Sequence, residues 1–308
     1  MSEEAVLQLR NVTKKIGGRT IVDNLSLDVH RGEVYGFLGP NGAGKTTTIR
    51  MIVGLISMTK GEALIKGVSV RKHFELAMTH VGAIVENPEM YKFLSGYQNL
   101  VLCARRHVGV TKERINEVVK LVGLEKRINE KVKRYSLGMR QRLGVAQALL
   151  HRPSVLIFDE PTNGLDPAGI RELRDYIRNL AQQEGIAVIV SSHLLSEMEL
   201  MCDRVAIIQA GKLIDVRTMS ELKNAVGNQQ IIVEVENPEQ TMEYLSTALP
   251  ELAVSVRDGK LEVAAGRERI PELNRTLVYA DIDVYSIRAA NLSLEDQFLE
   301  ITRGEQVV

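Results

Sequence analysis

Nine residues, Gly39-Pro-Asn-Gly-Ala-Gly-Lys-Thr-Thr47, constrain this chain more than any other stretch. The apolar run 34–38 before them reads as a buried strand, and residues 47–55 after them read as a helix. The spacing G-x-x-x-x-G-K-T between strand and helix has a mechanical basis. Glycines at 39, 42 and 44 can take backbone angles closed to other residues, so successive amide N–H groups turn inward as a cage for phosphate oxygens. The following helix aims the positive end of its dipole at the same point. Lys45 adds a mobile positive charge for the outer phosphates, and Thr46 adds a hydroxyl suited to Mg²⁺. A plain glycine turn would need neither lysine nor threonine.

The 308 residues suffice for two domains, at roughly one per 150. Lys plus Arg and Asp plus Glu both total 39, and the resulting zero net charge argues against a nucleic-acid partner. Cys103 and Cys202 lack CxxC spacing, so reduced thiols in the cytosol are expected rather than a disulfide or zinc framework. No apolar run approaches the roughly 20 residues that span a bilayer. The acidic start Met-Ser-Glu-Glu-Ala lacks the layout of a signal peptide. Contact with a membrane is therefore expected only through a partner.

Residues 5–38 alternate short apolar runs with turns, as an antiparallel sheet does, and 62–67 and 81–85 read as further strands. Residues 87–150 are helical by period, an insertion within an α/β frame, with Gly123 as a stop. Its basic residues Lys131, Lys133 and Arg134 read as a solvated face. In Ser136-Leu-Gly-Met-Arg140 the serine reads as a helix N-cap, and Gly138 leaves room for close approach to the first turn.

The run 155–160, Val-Leu-Ile-Phe-Asp-Glu, is an apolar strand ending in two carboxylates, whose burial needs a cation or hydrogen bonds. Beside the phosphate cage, Asp159 suits Mg²⁺ and Glu160 suits a general base for an attacking water. Asp166-Pro167 signals a helix start, and Gly185 its stop. His193 follows a buried strand, at the carboxyl edge where open α/β sheets bind ligands. Residues 205–209 with the turn at 210–211 are expected to complete the sheet. From residue 222 the order βαββαβ predicts a small ferredoxin-like domain, with Ser293 capping a helix at 294–301. It shows no catalytic cluster and reads as regulatory or as a docking surface.

With these motifs in this order, residues 5 to about 220 resemble the nucleotide-binding subunit of an ABC transporter. The resemblance rests on residues 39–47, the signature-like 136–140, Asp159-Glu160, Gly164-Leu-Asp166-Pro and His193. It implies an α/β fold with a P-loop NTPase core and parallel sheet, an antiparallel N-terminal β subdomain, the helical insertion and the C-terminal α+β domain. It places the ATP-binding domain at 1–221 and the accessory domain at 222–308. ATP binding would fall to Ile16, Asn41, Gly42, Gly44, Lys45, Thr46 and Thr47, and Mg²⁺ to Thr46, Glu86 and Asp159. The resemblance further implies a head-to-tail homodimer sandwiching two ATP molecules. Ser136 and Gly138 of one copy would then meet the γ-phosphate held by Lys45 of the other, Asp166 would organise the facing site, and His193 would position water against Glu160. Integral membrane permease subunits would be the other partners, with the chain cytoplasmic and peripheral on the inner face of the plasma membrane.

Two departures stand out. Ile16 occupies the place where the family carries an aromatic residue for adenine, and Glu86 the place of a glutamine. The context of Glu86, with Tyr91 and Tyr-Ser-Leu-Gly-Met, is similar to bacterial ATPases that export peptide antibiotics of the bacitracin and lantibiotic kind. The main rival, a soluble ABC-type ATPase acting on DNA or ribosomes, would be expected to carry a long coiled coil or two cassettes. A phosphate-transferring kinase would leave the signature unexplained.

Overall fold

Alternating side chains build the N-terminal sheet. In β1 (Ala5–Ile16) Leu7 and Leu9 are buried and Arg10 is exposed, and β2 (Arg19–His30) buries Leu25, Leu27 and Val29. The hairpin closes at Gly17 and Gly18, both left-handed. The computed structural model describes residues 5–86, 88–224 and 229–291. It forms two compact units, Met1–Met219 and Ser220–Val308.

In the first unit β3 (Val34–Leu38) is buried at every position and leads through the glycine loop into α1 (Lys45–Ile52). Next come β4 (Lys60–Ile65), β5 (Val68–Ser69), α2 (Phe74–Met78) and β6 (Val81–Ile84). The helical insertion holds α3 (Gly96–Ala104), α4 (Lys112–Leu121) and α5 (Leu137–Leu149). Ser95 and Gln98 form a capping box at the start of α3. Arg114 of α4 donates to the carbonyls of Leu149 and Leu150 at 2.6 and 3.3 Å, satisfying acceptors that the end of α5 leaves open.

The remaining elements are β7 (Val155–Asp159), α6 (Pro167–Glu184), β8 (Ala187–Ser192), α7 (Leu195–Met201), β9 (Arg204–Gln209) and β10 (Lys212–Thr218). One sheet has the order β2-β1-β4-β5 and is antiparallel throughout. The other has the order β10-β9-β3-β8-β7-β6, parallel from β9 to β6. Its strands β7 and β8 are buried along their whole length, as strands covered on both faces are. The sheet does not end at the turn after residue 209: β10 adds an antiparallel edge strand, half-buried along most of its length. Ile49, Met51 and Ile52 of α1 pack in one core with Leu7, Leu25, Phe37, Ile157, Ile189 and Ile208, so the helix after the loop is clamped by residues from both sheets.

The second unit begins within α8 (Met219–Asn224) and continues with β11 (Gln229–Val235), α9 (Pro238–Ala248), β12 (Val254–Arg257), β13 (Lys260–Ala264), α10 (Ile270–Tyr279) and β14 (Val284–Asn291). The sheet order is β12-β13-β11-β14, with every pair antiparallel, the arrangement the βαββαβ order requires. Leu245, Leu273 and Leu277 close its core over Ile231, Val233, Leu261 and Val263. The expected Ser293 cap and the helix at 294–301 lie outside the described residues.

Candidate functional site

The glycine loop is shaped by two different constraints. Gly42 and Gly44 take left-handed backbone at φ 81° and 105°. Gly39 does not; there a Cβ would lie 2.1 Å from the Ile208 carbonyl oxygen, so the third glycine answers to close packing rather than to backbone angle. Gly44 serves as N-cap without a side-chain hydrogen bond, so α1 starts at Lys45, two residues earlier than periodicity predicts, and its first-turn amides remain open to a ligand. Gly54, left-handed at φ 73°, follows the helix end.

Lys45 is 4% exposed, and its Nζ donates to the Gly39 and Pro40 carbonyls at 2.7 and 3.3 Å. It also lies 3.4 Å from Glu160 Oε1. Thr46 and Thr47 are half-buried, while Asn41 and Gly42 are exposed at the mouth of the loop.

The ends of β7 and β8 supply the acids. Parallel pairing sets Asp159 opposite Ser191. Ser191 Oγ donates to Asp159 Oδ1 at 2.6 Å and accepts from the Glu160 N–H at 2.8 Å, while Thr46 Oγ1 donates to the same Asp159 oxygen at 3.2 Å. Ser191 is the residue that sequence reasoning missed; its only signal is its place at the end of a buried strand. Glu160 leaves the strand with a left-handed backbone at φ 48°, a strained conformation that turns its side chain back over the loop. Its Oε2 accepts from His193 Nδ1 at 2.9 Å. The structure thus brings Lys45, Thr46, Asp159, Glu160 and His193 into one connected group of polar side chains.

Other expected residues stand apart from that group. Ser136 caps α5, its Oγ accepting from the Met139 N–H at 3.2 Å, and is exposed. A Cβ on Gly138 would meet only Leu165 Cδ2, at 4.0 Å, so the space before that helix is open. Asp166 caps α6 through the Gly169 N–H at 2.8 Å. A Cβ on Gly164 would meet Leu137 Cδ2 at 3.1 Å, so the Gly164–Leu165 segment lies beside the first turn of α5, on the same side as Gly138. Among the described residues, no hydrogen bond or ion pair joins Ser136 or Asp166 to the Lys45–Glu160 group. Ile16 is 53% exposed at the hairpin end. Glu86, left-handed at φ 65°, pairs with Arg50 of α1 rather than with Thr46 or Asp159.

Known proteins share this architecture. A family model described as ABC transporter matches residues 22–163. The uncharacterized ABC transporter ATP-binding protein YhcH of Bacillus subtilis (strain 168) is 56% identical over 299 residues, which cover 97% of this chain and 96% of that protein. The bacitracin transport ATP-binding protein BcrA of Bacillus licheniformis is 39% identical over 301 residues, 97% of this chain and 98% of that protein. A solved structure of the ATP-binding subunit of an ABC transporter is 27% identical, with a TM-score of 0.64 over 72% of this chain and 93% of the other.

Proposed function

The chain belongs to the ABC transporter ATP-binding proteins, and from that premise we propose that it powers a separate membrane permease that exports a peptide antibiotic or drug. Binding and hydrolysis of ATP are the activity of its family. The observation that carries the assignment of roles is Glu160, held between Lys45 and His193 at the mouth of the glycine loop.

Lys45 exchanges its contacts with the Gly39 and Pro40 carbonyls for the outer phosphates when ATP enters, and the amides of residues 42–47 surround them. Losing Lys45 as a neighbour frees Glu160 Oε1 to take the proton of an attacking water, while His193 orients the carboxylate through the other oxygen. Thr46 Oγ1 and Asp159 offer oxygen donors of the kind Mg²⁺ prefers, and Ser191 fixes the Asp159 carboxylate. Bound Mg²⁺ supplies charge neutralisation at the transferring phosphoryl group. Glu86 is a further oxygen donor at the end of the neighbouring strand β6.

Two copies close head to tail over two ATP molecules, and Ser136, Gly138 and Asp166 contribute to the facing site. The open space before α5 and the Gly164–Leu165 segment beside its first turn favour this reading. The permease docks a cytoplasmic helix between the segment after Glu86 and the insertion, and contact with the membrane runs through it. A cleft of about 410 Å³ lined by Val85, Pro88, Cys103, Gly144 and Gln147 lies there. Tyr91 and Phe93, packed edge to face, are 51% and 67% exposed in that segment. Residues 222–308 act as an accessory domain, regulatory or docking. The bacitracin-transport relative supports a peptide-antibiotic cargo.

Light scattering with ATP tests the sandwich on the Glu160→Gln chain, which should go from monomer to dimer; a chain that stays monomeric contradicts it. Co-purification with a polytopic membrane protein encoded beside it tests the transport role.

A further inference from the structure

β8 ends in two consecutive serines, and the period of two sends their side chains to opposite faces of the sheet. Ser191 serves Asp159 and Glu160. Ser192, 1% exposed, donates to Glu197 Oε2 at 2.7 Å and accepts from the Leu194 N–H at 3.0 Å. The same Glu197 oxygen accepts from Thr162 Oγ1, 3% exposed, at 2.8 Å. Thr162 lies between Glu160 and Asp166 in sequence, and Ser192 directly precedes His193. One carboxylate oxygen on α7 therefore ties the segment that leads to Asp166 to the segment that carries His193. The helix itself is anchored by Leu195, Met198 and Met201, all buried, so its packing does not depend on Glu197.

We propose that Glu197 is a positioning residue that couples the two nucleotide sites of the dimer. The proposal rests on the sandwich reading, in which Asp166 borders the site of the partner copy while His193 borders this chain's own. Displacement of the Asp166 segment by a partner is transmitted through Thr162, Glu197 and Ser192 to His193 and from there to Glu160. Hydrolysis in one site then depends on occupancy of the other. With the tie cut, ATP still binds, but His193 no longer follows the Asp166 segment.

The test measures ATPase rate against ATP concentration for the full chain and for Glu197→Ala, Glu197→Gln and Thr162→Val. Glu197→Ala should lower kcat by about tenfold, with KM changed by less than about twofold and the Hill coefficient reduced toward one. Glu197→Gln should recover kcat to within about threefold, because an amide oxygen accepts both hydroxyls. Thr162→Val should lower kcat in the same direction and add little in the Glu197→Ala background, since both cut one path. A Glu197→Ala chain with parental kcat and Hill coefficient overturns the proposal, as does full additivity of the two losses. If Glu197→Ala does not fold, Thr162→Val decides alone, and parental kinetics there overturn it. The sandwich is judged separately: a Glu160→Gln chain that remains monomeric with ATP removes that reading, whereas dimerisation with parental Glu197→Ala kinetics removes only the coupling role.

Discussion

His193 Nδ1 lies 2.9 Å from Glu160 Oε2, a bond that joins the carboxyl ends of two parallel strands 33 residues apart in sequence. Lys45 stands 3.4 Å from the other oxygen of the same carboxylate. Replacing Glu160 by Gln keeps the shape and removes the carboxylate proposed as the base. Turnover should fall by about 10²–10⁴-fold while ATP binding changes only a few-fold, measured by phosphate release and by titration with a fluorescent ATP analogue. Hydrolysis near the parental rate would rule out the base role.

Lys45→Ala acts on a different quantity. Its Nζ is a buried charge bonded to the loop carbonyl of Gly39, and its loss should weaken ATP affinity by about tenfold or more. An unchanged affinity in the same titration would contradict the assignment.

Gly138→Asp separates folding from cross-dimer action. Within one chain the position is open, and an acid in the first turn of α5 suits the helix dipole, so thermal stability should hold or rise by about 0.3–1 kcal/mol. In the sandwich the new carboxylate would face a γ-phosphate. ATPase activity should drop at least about tenfold by like-charge repulsion; parental activity would mean that no phosphate approaches this turn.

Glu86→Gln breaks an exposed ion pair, with Arg50 42% and Glu86 61% accessible, so stability should change by less than about 1 kcal/mol. If the carboxylate contributes to the Mg²⁺ site, the midpoint of Mg²⁺-dependent hydrolysis should shift. Superimposable Mg²⁺ titrations would exclude that contribution.

A pair of histidines should set an acid limit on stability. The rings of His107 and His151 stack at 4.3 Å, and His151 Nε2–H donates to the Val81 carbonyl at 2.9 Å. Burial lowers both imidazoles below the ordinary value, helped at His151 by His107, Arg114 and His80 and at His107 by Arg106. An imidazole depressed in the folded state lets the unfolded chain take up protons first. This contribution is complete above about pH 6.5 and is lost as pH falls toward the folded values. Melting temperature should therefore decline between about pH 7 and 5.5, and the decline should be shallower in His151→Gln; identical slopes would remove the pair as its source.

Much of this architecture is legible in the sequence because its signals are local. A buried run, a glycine-lysine-threonine loop and a helix lie within 20 residues, and the caps Ser136 and Asp166 announce α5 and α6. β10 is not legible: Lys212-Leu-Ile-Asp-Val-Arg-Thr218 mixes charges into its apolar pattern, as a half-buried edge strand does. Ser191 and Glu197 are equally silent, because serines and acids are common near element ends. Their meaning comes from the register that sets Asp159 beside Ser191, a pairing between distant segments that periodicity does not carry. The early start of α1 follows from Gly44, whose left-handed turn lets the helix begin at once.

Gly39 leaves no room for a methyl group between the loop and the Ile208 carbonyl, and the Gly211 N–H holds Ala43 O at 2.9 Å while Asp23 N–H holds Gly211 O at 2.8 Å. A backbone wedged in this way has little disorder to surrender when a ligand arrives. Capture of a nucleotide by one chain should accordingly show a small heat-capacity change in calorimetry. A large negative value would report apolar surface closing elsewhere, away from a receptacle that is already in shape.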